Sequence, residues 1–268
     1  MRVLFLGDVV GKPGRQILKE RLASLQSHYS ADFTVVNAEN AAAGKGVTAT
    51  IADEILGLGV DVLTTGNHVW AQRGFEEYLE SEPRILRPLN YPLDTPGNGI
   101  FRGRSRQGDP IIVINLQGRV FMQPIDCPFR ALDDALDTLP GGDCPTILID
   151  MHAEATSEKL AMGWYADGRV SAVLGTHTHV PTADARILPG GTAYCTDVGM
   201  TGPYDSVIGT RPDLALYRLL TARPVRFQVA SSNTRIAGAV VDIDPESGKA
   251  SSIETFFDPP DDLSTTVT

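Results

Sequence analysis

The sequence predicts an α/β fold built on a sheet whose strands are joined by helices. Two observations predict it. Short apolar runs alternate with segments of helical periodicity, and each run is followed at once by a polar or glycine-rich loop. At 268 residues, 42% hydrophobic and 21% charged, the chain has a globular balance and can bury a core without disulfide or metal staples.

Residues 3–6 (Val-Leu-Phe-Leu) read as a buried strand and residues 7–14 as a loop. Behind Pro13, Ile17, Leu18, Leu22 and Leu25 recur at helical spacing. The plan repeats with a strand at 33–36, a loop at 37–46 and a helix from about Thr48. It repeats again with a strand at 60–63, the polar turn Thr64-Thr65-Gly66-Asn67-His68 and a helix near 75–79. Residues 83–108, rich in Pro, Gly and Arg, read as irregular. Next come a strand at 111–116, a helix at 131–139, and a strand at 146–149 that runs into Asp150-Met151-His152. A helix at 157–165 leads to a strand at 170–174 that ends in Gly175-Thr176-His177-Thr178-His179. Beyond Pro189-Gly190-Gly191 the parallel pattern stops, and short runs at 193–196, 226–230 and 237–243 predict antiparallel strands. With no repeat or linker, one domain is expected over 1–256, with 257–268 as a frayed tail.

Composition narrows the function. With 33 acidic and 23 basic residues and a net charge of -10, the chain is poorly suited to binding long nucleic acid. No apolar run reaches the roughly 20 residues of a membrane helix, and Asp8 interrupts the N-terminal apolar run too early for a secretory signal. Cys127, Cys144 and Cys195 form no C-x-x-C pair, which fits a reducing, cytoplasmic setting. Gly7-Asp8-Val9-Val10-Gly11-Lys12-Pro13 fails the phosphate-loop spacing, and there is no G-x-S-x-G or H-E-x-x-H motif.

What remains is a set of polar residues at successive strand ends: Asp8, Glu39, Asn40, Asn67, His68, His152, His177 and His179. Singly, each has a structural reading as a helix cap, a turn residue or a satisfied histidine. Jointly they are oxygen and imidazole donors gathered where open α/β sheets form their sites, and that set suits divalent cations. Four of the five histidines belong to it; His28, near a helix end, does not.

In order, Gly7-Asp8, Asn37-Ala38-Glu39-Asn40, Gly66-Asn67-His68, Asp150-Met151-His152 and Gly175-Thr176-His177-Thr178-His179 resemble the motifs of the calcineurin-like metallophosphoesterases. Asn115-Leu116-Gln117-Gly118-Arg119, Ala153-Glu154-Ala155-Thr156-Ser157-Glu158-Lys159 and Asp197-Val198-Gly199-Met200-Thr201 are similar to the bacterial YmdB-like branch. The resemblance implies a four-layer α/β/β/α sandwich and hydrolysis of small cyclic nucleotides, 2′,3′-cyclic and also 3′,5′-cyclic. It also implies two divalent or mixed-valence metal ions, iron first and manganese second. Carried over, Asp8, Asn40 and His179 would hold one ion and Asn67, His152 and His177 the other, with Glu39 bridging and His68 as proton donor. Val10 stands where the superfamily usually has a histidine, a gap that Asn40 fills, and Glu39 replaces a common bridging Asp.

The expected partner is a small nucleotide rather than a membrane or long nucleic acid, and assembly of identical chains is left open. A nucleotidase or phosphomonoesterase, and a slow-turnover nucleotide-binding regulator, are the alternatives. Arg104, Arg106 and Arg119, with Tyr91 and Phe121, are candidates for base or phosphate recognition.

Overall fold

The computed structural model describes residues 1–139 and 146–259. Cys144 and most of the expected tail, 260–268, lie outside them. One sheet contains β1 (Arg2–Leu6), β2 (Asp8–Val9), β3 (Phe33–Asn37), β4 (Val62–Thr64), β5 (Ile85–Leu86), β12 (Met200–Pro203), β13 (Thr234–Ile243) and β14 (Ala250–Asp258). The other contains β6 (Ile100–Arg104), β7 (Pro110–Gln117), β8 (Thr146–His152), β9 (Ala172–Thr176), β10 (Arg186–Ile187) and β11 (Ala193–Cys195). The helices are α1 (Gly11–His28), α2 (Ala49–Leu56), α3 (Glu76–Ser81), α4 (Pro128–Asp137), α5 (Thr156–Ala166) and α6 (Pro212–Thr221).

The first sheet runs β2-β12-β13-β1-β3-β4-β5, with β14 also on β13, and the second runs β10-β11-β9-β8-β7-β6. Within them β1, β3, β4 and β5 are mutually parallel, as are β7, β8, β9 and β11. Strands buried on both faces read as continuous apolar runs, and β8 fits, with all seven residues buried.

Period-2 alternation divides the core. Val3, Phe5 and Val35 of the first sheet meet Val113, Leu148 and Leu174 of the second in one cluster. The alternate residues Leu4, Leu6 and Val36 turn the other way, onto Leu18 and Leu22 of α1 and Ile55 of α2. Ile112, Ile114 and Ile149 likewise pack on Leu132 of α4 and Met162 of α5. Fully burying each such side chain is worth roughly 1.5–3 kcal/mol. α2 starts where expected, with Thr48 Oγ1 accepting the Ile51 N–H at 3.3 Å.

Several elements differ from the sequence reading. α1 begins inside the expected loop, because Gly11 takes φ +60° and lets Lys12 and Pro13 form the first turn. The irregular stretch 83–108 contains β5 and β6; β6 is a half-exposed edge strand whose arginines hide its alternation. Residues 193–195 pair in parallel with β9 and are antiparallel only to the two-residue β10. Residues 226–230 form no strand beyond a single bridge at Val229. α6 has no counterpart in the sequence reading, since Leu216, Leu219 and Leu220 are exposed and only Ala215 is buried. β14 carries Phe257 and Asp258 into the sheet, two residues expected in the frayed tail. No helix among the described residues is long and apolar enough to cross a membrane.

Candidate metal centre

Parallel strands in each sheet deliver their following loops to one edge, and the two edges meet. Asn37 at the end of β3 donates to Asp150 Oδ2 of β8 at 2.9 Å, and Asn115 Nδ2 of β7 donates to the Thr65 carbonyl at 2.8 Å. Asp8 opens β2, Glu39 and Asn40 follow β3, Asn67 and His68 follow β4, His152 ends β8, and His177 and His179 follow β9. Contacts shorter than 4 Å link all eight into one cluster. His28, last in α1, packs on Tyr29 instead.

The tautomer of His152 follows from its partners. Thr176 spends its only proton on Asp150 Oδ1 at 2.7 Å, so it must accept from His152 Nδ1 at 2.8 Å. The lone pair is then on Nε2. It faces Asn67 Oδ1 at 3.1 Å, Glu39 Oε2 at 3.2 Å and His177 Nδ1 at 3.0 Å. His177 Nε2 points at Glu154 Oε2, 3.2 Å away, which draws the proton to that nitrogen and leaves a lone pair on Nδ1. Two imidazole lone pairs 3.0 Å apart require a proton or a cation between them. Glu39, His152 and His177 thus form a group able to hold a metal ion, with donor atoms within 4.8 Å of one another.

Beside it, His179 donates from Nδ1 to the Ile208 carbonyl at 3.0 Å, which turns Nε2 toward Asn40 Oδ1 at 3.3 Å and Asp8 Oδ1 at 3.8 Å. Asp8 Oδ1 and Glu39 Oε1 are buried without a hydrogen bond among the described residues, although His68 Nδ1 lies 3.2 Å from Glu39 Oε1. A buried carboxylate oxygen left unpaired is costly and fits a cation ligand. Gly66 permits the close packing: a Cβ there would sit 2.1 Å from His152 Cδ2 and 2.4 Å from Glu39 Oε2.

The electrostatics of the metal-free chain follow the same geometry. Burial would raise the Glu39 carboxyl, but the His152 and His68 imidazoles hold it well below the usual range. Burial pushes Asp8 up, only partly opposed by His179 and His152. Burial alone would lower His152, yet Glu39, then Asp8 and Asp150, push it to about 9. Burial and the charge of His152 push His177 down to about 3. The shared proton of the histidine pair therefore sits on His152.

Sequence reading passes over the residues behind the donors. Asn37, Asp150 and Thr176 orient Glu39 and His152, with Asn37 Oδ1 accepting the Glu39 N–H at 3.1 Å. The available signal is spacing, because Asp150 lies two residues before His152 on one strand and so shares its face. Arg104 and Arg106 leave the site: they bond the Gly108, Ala31 and Gly59 carbonyls at the opposite end of β7. Arg119 and Tyr91 line a cavity of about 620 Å³ that includes none of the eight crevice residues, and Phe121 is exposed. Cys195 is a core residue whose thiol burial pushes up to about 11.

The sequence profile described as YmdB-like protein matches residues 4–256. The 2′,3′-cyclic-nucleotide 2′-phosphodiesterase of Bacillus subtilis (strain 168) is 50% identical over 257 residues, covering 96% of this chain and 97% of that protein. A hypothetical protein from Thermus thermophilus has a crystal structure with a TM-score of 0.89 and 44% identity, covering 96% of this chain and 98% of that one. A phosphatase crystal structure from Mycoplasma pneumoniae also has a TM-score of 0.89, at 37% identity, covering 96% and 92%.

Proposed function

Because this chain belongs to the YmdB-like protein family, we propose that it is a dinuclear metal-dependent phosphodiesterase that opens 2′,3′-cyclic nucleotides, with 3′,5′-cyclic nucleotides as a second substrate class. The observation that carries the reading is the pair of facing lone pairs on His152 Nε2 and His177 Nδ1, set beside the buried Asp8 Oδ1, which has no hydrogen bond among the described residues. The name of the Bacillus subtilis relative supports the substrate class. The same reading takes residues 1–256 as one domain with a four-layer α/β/β/α arrangement, supported by one apolar cluster between the sheets and one on the outer face of each.

Asp8, Asn40 and His179 would hold one ion and Asn67, His152 and His177 the other, with Glu39 shared. When bound, the pair supplies hydroxide near neutral pH and neutralises charge on the phosphoryl oxygens. The oxygen and nitrogen donors suit iron or manganese. With only two carboxylates among the donors, two bound divalent ions would leave a local positive centre that attracts a phosphodiester to an acidic protein.

The open side of the crevice is set by exposure. The His68 and His177 side chains are 26% and 18% exposed, whereas those of Asp8 and His152 are 0%. His68 therefore faces an arriving substrate, with Glu39 Oε1 and the Asn40 amide nitrogen each 3.2 Å from its Nδ1. As a water-derived oxygen bonds to phosphorus and the bond from phosphorus to O2′ breaks, the His68 proton passes to the leaving ribose oxygen.

The test compares wild type with His68→Ala on 2′,3′-cyclic AMP, a p-nitrophenyl phosphodiester and p-nitrophenyl phosphate, with added manganese or iron. Wild type should prefer the diesters. The variant should keep its metal and lose roughly 10²–10⁴-fold on the cyclic substrate. It should lose less on the diester with a p-nitrophenolate leaving group, which needs little protonation. Preference for the monoester would make the protein a phosphomonoesterase, absence of turnover would make it a binding module, and metal depletion in the variant would make His68 a ligand.

A further inference from the structure

The loop that presents His177 and His179 is held in a conformation that side chains resist. Both residues have positive φ, 91° and 64°, and such backbone persists only where its surroundings over-determine it. The restraint comes from beneath the loop. Lys159, in the first turn of α5 and fully buried, donates to Asp197 Oδ2 at 2.8 Å and to Thr178 Oγ1 at 3.1 Å. The same Asp197 oxygen accepts from Thr178 N at 3.1 Å and Thr178 Oγ1 at 2.5 Å, while Oδ1 accepts from Gly199 N at 2.8 Å. The Lys159 stem runs against Gly175, where a Cβ would lie 2.9 Å from Lys159 Cδ and 1.7 Å from the Thr196 carbonyl oxygen.

Thr178 stands between the two histidines, so one carboxylate grips the loop by both its backbone and its side chain. Burying an ion pair contributes little net stability, because desolvation offsets the attraction. What this pair does is fix a position. The neighbouring Glu158 turns the other way and accepts Arg119 N and Val120 N at 3.0 and 3.1 Å, so adjacent residues of one helical turn hold two different loops.

We infer that Lys159 and Asp197 are positioning residues, a buried ion pair that clamps Thr178 and thereby sets both flanking imidazoles at the angles a metal ion needs. The inference rests on the reading of His177 and His179 as ligands. With the clamp broken, the loop relaxes toward negative φ and both imidazoles swing away from their partners.

Calorimetric titration of the metal-free protein with Mn²⁺ tests this, with thermal unfolding of each metal-free variant measured alongside. Lys159→Met should weaken Mn²⁺ binding by roughly 10–100-fold, the usual effect of removing an outer partner of a ligand. Thr178→Val keeps the shape, leaves Asp197 paired with Lys159, and removes both hydrogen bonds of the Thr178 hydroxyl, so it should lose roughly 5–100-fold. Glu158→Gln, which disturbs the same turn of α5 but the other loop, should bind Mn²⁺ as wild type does. Wild-type affinity in a folded Lys159→Met, or in Thr178→Val should the first variant not fold, would overturn the clamp. An equal loss in Glu158→Gln would also overturn it, by showing a general effect of α5. Failure of the wild type itself to bind Mn²⁺ would instead remove the ligand reading on which the inference stands.

Discussion

The two groups of donors in the crevice are anchored differently. Around His152 every orienting partner lies on or directly beside a strand: Thr176 on β9, Asp150 on β8 and Asn37 on β3, all fully buried. The donor atoms there stand 3.0–3.2 Å apart. Around His179 the anchor is a loop carbonyl, that of half-exposed Ile208, and the donors stand 3.3 and 3.8 Å apart. His152 is carried on a strand and held by strand residues, so the sheets' own hydrogen bonds preorganise it, whereas His179 sits on a loop and needs further restraint. Of the two, the His152 group should bind its ion more tightly.

On the proposal that Glu39 is shared between the two ions, removing its charge should break the comparison altogether. Glu39→Gln replaces a shared anion by a neutral amide, which cannot offset repulsion between two cations. Elemental analysis should show both ions depleted, with turnover down by roughly 10²-fold or more. Two retained ions with wild-type turnover would show that Glu39 is not the bridge.

Asp150→Asn should separate the groups. It frees the Thr176 proton and with it the tautomer of His152, so affinity at the tighter site should drop by roughly 10–100-fold while the His179 site changes little. Equal losses at both sites would mean that the strand-borne relay is not specific to His152.

Protonation gives a smaller, graded effect. In the metal-free chain His152 is pushed up to about 9 and His177 down to about 3. Between these values a cation entering the pair must displace one proton, from His152. Apparent affinity at that site should therefore rise with pH by about tenfold per unit and level off above about 9. Calorimetry in buffers of different ionisation enthalpy should detect about one proton released per ion. Affinity that is flat from pH 6 to pH 8 would contradict the lone-pair geometry.

The contrast between the groups also marks where the sequence is legible. Asp8, Glu39, Asn40, Asn67, His68, His152, His177 and His179 stand out because each follows an apolar run, and period-2 and period-3.6 patterns are local properties of the chain. The strands at 3–6, 33–36 and 146–149 emerge for the same reason. Pairing across long separations is not local. β13 inserts between β1 and β12, matching Arg2 with Asp242 and Thr201 with Ile236, and no neighbouring residue announces either contact. The Asp150 to Thr176 to His152 relay is hidden likewise, because Thr176 reads only as one residue of the polar run after the strand at 170–174 until β8 and β9 are placed side by side. α6 is hidden because its leucines do not share a buried stripe.

Stoichiometry of activation tests the paired-cation reading most directly. Metal-free protein titrated with Mn²⁺ at fixed pH, with hydrolysis of 2′,3′-cyclic AMP followed at each step, should bind a first equivalent with little turnover. Activity should then rise with the second, weaker equivalent and stop rising once two are bound. Full turnover at one equivalent, or two bound equivalents without hydrolysis, would contradict it.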